Sequence, residues 1–185
     1  MARSPVPALD RDRLIAAAFA LLEEDGLDGL SMRRLAARLG VQAPALYWHV
    51  ADKAELLGLM ARDIYAHADA LVPPQTQWRD WLLAFGRALR STFAAYRDAA
   101  RVCAAGRVQR DVDIAENARS IAEPLVSLGL DQPRALSCKA SVISFALGWA
   151  SFEANGPMHD YLDEMLNFDE SFETGLAALV RGFEG

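Results

Sequence analysis

Arg33, Arg34, Arg38 and Lys53 crowd one short stretch of this 185-residue chain, where the acids between Gly29 and Lys53 amount to Asp52 alone. Basic groups at that density suit a polyanion such as the phosphate backbone of a nucleic acid. Tyr47, Trp48 and His49 follow one another in the same stretch, just after Pro44. Aromatic and polar side chains at one exposed end fit backbone and base-edge contacts. Elsewhere the chemistry is sparse. GxSxG, P-loop, HExxH and Gly-rich dinucleotide patterns are missing, and His49, His67 and His159 lie far apart in sequence, so no enzyme is expected. Cys103 and Cys138 are isolated, without CxxC spacing, which argues against a disulfide framework or a zinc site.

The basic and aromatic residues need elements to hold them, and Ser31 to Val50 supplies two short helices and a turn. Ser31 is a good N-cap. Met32, Leu35, Ala36 and Leu39 recur at helical spacing, and Gly40 follows where a left-handed residue closes a helix cheaply. Val41 plugs the turn. A second helix of about two turns starts near Gln42, with Pro44 in its first turn, where no amide donor is needed. Ala43 and Leu46 face inward. The pattern is a helix-turn-helix, although an ordinary helical hairpin with a solvated basic face would share much of it.

The LYWHV run with Lys53 behind it, the preceding LAARLGV and the Ser31 cap resemble the tetracycline-repressor (TetR) family. The likeness extends through YRDAARV (Tyr96 to Val102), ALGW (Ala146 to Trp149) and ETGLAALVRGFE (Glu173 to Glu184). The resemblance implies that Arg33 contacts a base, and that Pro44, Tyr47, Trp48, His49 and Lys53 make base-methyl or phosphate contacts. Gln42, heading the second helix, joins that set. Ala43 and Ala45 replace polar base readers, so the operator sequence does not carry over. Relatives that take a magnesium–drug chelate use a histidine, a threonine and an Arg-Pro pair, where this chain has Cys103, Gly106 and Arg107-Val108. Asp69 stands where a drug-contacting histidine is expected. A thiol is a poor ligand for a hard, oxygen-seeking cation. The expected effector is therefore a largely apolar small molecule, with no metal and no cofactor.

Taken in order, residues 1–9 read as a disordered arm containing Arg3. Asp10 caps a first helix with Leu14, Ala17, Ala18, Leu21 and Leu22 on its buried face. Gly26 ends it, and Glu23, Glu24 and Asp25 oppose its dipole. Asp52 and Glu55 form a capping-box-like start to a connector helix over about residues 52–71, stopped by Pro73 and Pro74. The body follows. Trp78, Trp81, Leu82, Phe85, Leu89 and Phe93 share one helix, Ala99 to Ala105 forms a short one, and Val112 to Leu128 is interrupted at Pro124. A weakly charged helix runs from Asp131-Pro133 to about Asn155, apolar nearly all round and so covered on more than one face. Asp169 caps the last helix.

Charge follows the same division. Seven basic and seven acidic groups fall in residues 1–53, so the whole net charge of −6 lies beyond Lys53. Apolar residues make up 52%, with Ala and Leu prominent, which favours helices. No N-terminal leader and no apolar run approaching about 18 residues is visible, so a cytoplasmic protein without a membrane partner is expected. The reading is an all-α chain: an N-terminal three-helix head (1–53, helix-turn-helix 31–50) joined by a connector helix to a C-terminal ligand-binding and dimerisation body (54–185). Aromatics on the first and penultimate body helices could line an apolar cavity. The candidates are His67, Trp81, Phe85, Cys103, Trp149, Phe152 and Glu153, although for any one aromatic a place in the core is the better reading, and for His67 a place on a helix face. The expected function is a homodimeric repressor released from a double-stranded, near-palindromic operator by a small-molecule effector. A small-molecule-binding helical protein, or an all-α enzyme with a degenerate head, is the alternative.

Overall fold

The computed structural model describes residues 9–110, 112–154 and 156–184. The expected arm therefore lies, apart from Leu9, outside the described residues. Ten helices and no strand occur among the described residues. The chain divides into two compact units: Met1–Arg62 with Arg101–Gln109, and Asp63–Ala100 with Arg110–Gly185.

The first unit begins with α1 (Arg11–Gly29), capped by the Asp10 carboxylate, which accepts the Arg13 amide at 2.8 Å. Gly26 interrupts the helix as expected. It adopts φ 70° and kinks it, and one more turn follows. The buried face holds Ile15 in place of the expected Ala17. In α2 (Met32–Leu39) the Ser31 hydroxyl accepts the Arg34 amide, and Gly40 closes the helix at φ 69°. The Gly40 and Val41 amides return to the Ala37 and Ala36 carbonyls, using acceptors the helix end leaves free.

The second helix of the motif, α3 (Ala43–Leu46), is only four residues long, against the two turns expected. The Tyr47 and His49 amides bond three residues back, to Pro44 and Leu46, so the chain continues in tight turns. Leu46 and Val50 are buried and anchor both ends of that segment. A helix this short is held by such anchors, since propensity alone cannot sustain it.

Helix α4 (Lys53–Ala70) opens with a reciprocal cap: Asp52 accepts the Glu55 amide at 2.9 Å, and buried Glu55 accepts the Ala51 amide at 3.1 Å. The Glu55 amide bond is the main cause that holds the Asp52 carboxyl below its usual range. Residues Lys53–Arg62 of α4 belong to the first unit and Asp63–Ala70 to the second. Helix α6 (Ala99–Ala105) is divided likewise, between Ala100 and Arg101.

The second unit is built on α5 (Trp78–Ala95), α7 (Ile114–Val126), α8 (Gln132–Glu153), α9 (Gly156–Asp163) and α10 (Phe168–Gly182). Helix α8 packs chiefly on α5 and α7, and α10 on α5 and α8. Leu82, Phe85, Leu89, Phe172 and Leu176 are fully buried, each contributing about 1.5–3 kcal/mol. Pro124 sits in the last turn of α7, so that helix ends soon after it. Asn167, not Asp169, caps α10, accepting the Glu170 amide at 3.0 Å; Asp169 lies in the first turn.

Helix α8 corrects one expectation. By length and composition alone it could cross a membrane, with 22 residues that include an 18-residue window of mean hydropathy 1.3. Its Ala, Ser and Gly residues break up any visible apolar run while leaving the average high. Within the chain it is covered on one stripe, Ala135, Cys138, Lys139, Val142, Ala146 and Ala150, and Ala140, Ser144, Gly148 and Ser151 stay exposed.

Candidate DNA-binding surface and effector cleft

In the first unit the basic stretch is less free than its sequence implies. Arg34 pairs with Asp25 and donates to the Gly29 carbonyl at 3.1 Å. Arg38 pairs with Glu24 at 2.7 Å, a bond that holds the Glu24 carboxyl below its usual range. The acids expected to oppose the α1 dipole are thus the partners of the α2 arginines. These pairs are solvent-exposed and weak, so phosphates can compete for the same guanidinium groups. Lys53 donates to the Leu27 carbonyl at 2.9 Å and ties α1 to the start of α4. Arg33 is exposed and has no ion pair among the described residues.

Next to these groups lies uncovered apolar surface. Trp48 is 89% exposed and Tyr47 54%, while Pro44 and Gln42 are exposed and His49 is half-buried. A large ring left in water forgoes about 1.5–3 kcal/mol of burial. A surface with that cost and with free guanidinium charge is made for a partner.

Arg101–Gln109 completes the unit. The Arg107 amide donates to the Ala54 carbonyl at 2.8 Å, and its guanidinium pairs with Asp52 at 2.7 Å. Two glycines permit this approach. A Cβ on Gly58 would lie 2.0 Å from the Arg107 carbonyl oxygen, and one on Gly106 would lie 2.9 Å from the Gly58 Cα. Backbone cannot swing aside as a side chain can. Gly58→Ala is therefore expected to cost about 1–3 kcal/mol, in the range of overpacking. Arg107→Ala should cost less than about 1 kcal/mol, since its ion pair is exposed. Urea denaturation of both variants checks this, and equal costs would contradict it.

In the second unit, Trp81 and Phe85 stack at 4.9 Å and are buried. Lys139, 4% exposed, lies 4.8 Å above the Phe85 ring and 5.1 Å above Trp81. Its ammonium donates to both Asp69 oxygens, at 2.9 and 3.0 Å, and to the Ile121 carbonyl at 3.4 Å. His67 is exposed and meets Tyr96 edge-on, and Phe152 is 48% exposed. Cys103 is half-buried and belongs to the first unit, whereas the other six candidate ligand residues belong to the second.

The second unit also holds a cleft of about 880 Å³ between α5, the end of α8, α9 and the start of α10. Glu153 alone of the seven candidates lines it. Trp149 stands behind, edge-on to the lining residues Phe168 (5.9 Å) and Phe172 (6.1 Å). Arg87 grips both oxygens of Glu173, from 2.7 to 3.0 Å, and holds that carboxyl below its usual range. Arg90 bonds Glu153 at 2.9 Å and Asp169 at 2.8 Å. Sequence reading missed Lys139, Arg90, Asp163 and His159. A lone lysine in an apolar helix was the available signal for the first, and Pro157 at a helix start for α9, which carries the last two.

Comparison with known proteins fits both units. Residues 14–60 match the family described as bacterial regulatory proteins, tetR family, and residues 72–163 match the tetracyclin repressor-like C-terminal domain. The class A tetracycline repressor protein from transposon 1721 of Escherichia coli is 33% identical over 94% of this chain and 90% of its own. This chain belongs to the TetR family. It is a helix-turn-helix transcriptional regulator with a tetracycline-repressor-like C-terminal domain. Among solved structures, a TetR of Acinetobacter baumannii AYE in complex with minocycline is similar at a TM-score of 0.75, with 34% identity over 96% of this chain and 97% of that one. TetR(class A) in complex with 5a,6-anhydrotetracycline and magnesium gives 0.70, with 33% identity over 95% and 98%.

The positions that the family resemblance assigns to a magnesium chelate, Cys103, Gly106, Arg107 and Val108, carry no oxygen-bearing side chain in this TetR-family chain. Arg107, at a position the family resemblance assigns to the chelate site, is instead bonded to Asp52 and the Ala54 carbonyl. Cys103 offers only sulfur, and Gly106 offers no side chain.

Proposed function

We propose that this regulator acts as a homodimer that places two helix-turn-helix units on a near-palindromic operator and leaves it when a small molecule binds the second unit. The observation that carries the reading is the bare recognition surface, Trp48 and Tyr47 standing in solvent in the same helix-turn-helix as the exposed Arg33, which has no ion pair among the described residues. Arg33 reads a base edge, for which a bidentate guanidinium–guanine contact is the usual form. Gln42, Pro44, Tyr47, Trp48, His49 and Lys53 supply methyl and phosphate contacts that fix the register. One such unit spans few base pairs, so two are needed, about one DNA turn apart.

Dimerisation uses the uncovered side of α8 with α10. Ala140, Ser144, Gly148 and Ser151 form a face of small residues along α8, suited to close helix packing in a four-helix bundle. The effector acts by favouring one spacing of the paired units. Helices α4 and α6 each run from one unit into the other, so both are conduits for that preference.

Gly148→Arg tests the assembly. A side chain there meets nothing within 4 Å in the single chain, so the fold is expected to survive. Sedimentation should show a folded monomer where wild type is a dimer, with operator affinity at least tenfold weaker. A Gly148→Arg dimer, or a wild-type monomer at micromolar concentration, would remove the proposed interface.

A further inference from the structure

We infer that the cleft of the second unit selects an organic cation with an aromatic or apolar body; this deepens, and rests on, the reading of that unit as the effector-binding one. The cleft, about 880 Å³, is large enough for a small organic molecule. Its lining carries four carboxylates, Glu153, Asp163, Asp169 and Glu173, against the guanidinium groups of Arg87 and Arg90. Counting His159 as a further cation still leaves the carboxylates in excess.

Both arginines are already engaged. Arg87 is closed on Glu173 in a bidentate pair, and Arg90 is shared between Glu153 and Asp169 while lying 4.8 Å over the Phe172 ring. Neither is left to attract an anionic ligand. Asp163 has no hydrogen bond or ion pair among the described residues, and Glu153 and Asp169 share the single Arg90 guanidinium, so two of the four carboxylate charges are uncompensated within the cleft. The apolar part of the lining is Ala94, Leu166, Phe168 and Phe172, and His159 stacks parallel on Phe168 at 4.9 Å. The residual negative field of the carboxylates attracts cations. A bare metal ion is the poorer occupant, because three of these carboxylates already have at least one oxygen bonded to an arginine.

The test uses two ions of the same shape and opposite charge. Tetraphenylphosphonium and tetraphenylborate are titrated separately into the full-length protein, without DNA, at fixed ionic strength in sodium buffer. Binding is read from calorimetry and from Trp149 fluorescence. The phosphonium is expected to bind saturably and at least tenfold more tightly than the borate. Asp163→Asn, which breaks no bond of the fold, should lower phosphonium affinity several-fold and narrow the preference. Borate binding as tightly as phosphonium would overturn the inference, and so would an Asp163→Asn variant with unchanged affinities. Magnesium chloride alone should give no saturable heat; saturation that blocks the phosphonium would mean a metal site instead. Operator release is measured separately. Selective phosphonium binding without release would count against the effector reading and leave the charge preference standing.

Discussion

Asp69→Ala should destabilise the second unit by about 3 kcal/mol, while Lys139→Met, which deletes the other half of the same pair, should cost less than about 1 kcal/mol. The asymmetry comes from where each charge sits. Lys139 is 5% exposed at its side chain and packed over Trp81 and Phe85, whereas the Asp69 side chain is 36% exposed. Removing the aspartate leaves an ammonium that water cannot reach, with one carbonyl and two ring faces as compensation. Breaking a buried pair in that way costs about 3–5 kcal/mol, and the partial exposure of Asp69 puts this case at the lower end. Removing the lysine leaves a carboxylate that can hydrate in place, and methionine fills much the same volume among the rings. Urea midpoints followed by tryptophan fluorescence separate the two. Equal losses, or a neutral Asp69→Ala, would mean that Lys139 is better solvated than its burial indicates.

The pair also shows where sequence reading stops. Caps, stops and stripes were legible because they act between residues three or four apart. Ser31, Gly40, Asp52 with Glu55, and the Ala99–Ala105 helix are all of that kind. The pairing of Glu24 and Asp25 with Arg38 and Arg34 was not legible, because the arginines reach them only once α1 and α2 are folded together. The brevity of α3 was hidden too. Its ends are fixed by burial of Leu46 and Val50, which no periodicity over so few residues reports. Trp81 and Phe85 were legible as an aromatic stripe, yet a stripe does not say whether it lines space or fills it. The structure stacks these two together under Lys139, and its described cleft lies along α9 and α10, beside Glu153 and Trp149.

The close approach of Gly58 and Gly106 was equally invisible, since the two lie far apart in sequence and each reads as an ordinary glycine. It matters for the regulatory account because Arg101–Gln109 joins the DNA-binding unit. The segment that family resemblance associates with the effector is therefore bonded to the first turns of α4, by the Arg107 amide and guanidinium. A ligand that alters α6 would have a covalent and a hydrogen-bonded route to the helix behind the recognition surface.

The central claim is that two helix-turn-helix units read DNA, and selection from a random duplex pool followed by anisotropy over a salt series tests it most directly. The selected site should be a near-palindrome with half-site centres about 10 base pairs, or a multiple of one turn, apart. Affinity should fall linearly with the logarithm of salt, by about 0.9 for each phosphate neutralised. Arg33→Ala should cost about 1–3 kcal/mol on the selected site and relax discrimination at one symmetric pair of positions, with little change on random duplex. A pool that yields no enriched sequence, or an Arg33→Ala protein that binds selected and random duplexes as wild type does, would contradict the account.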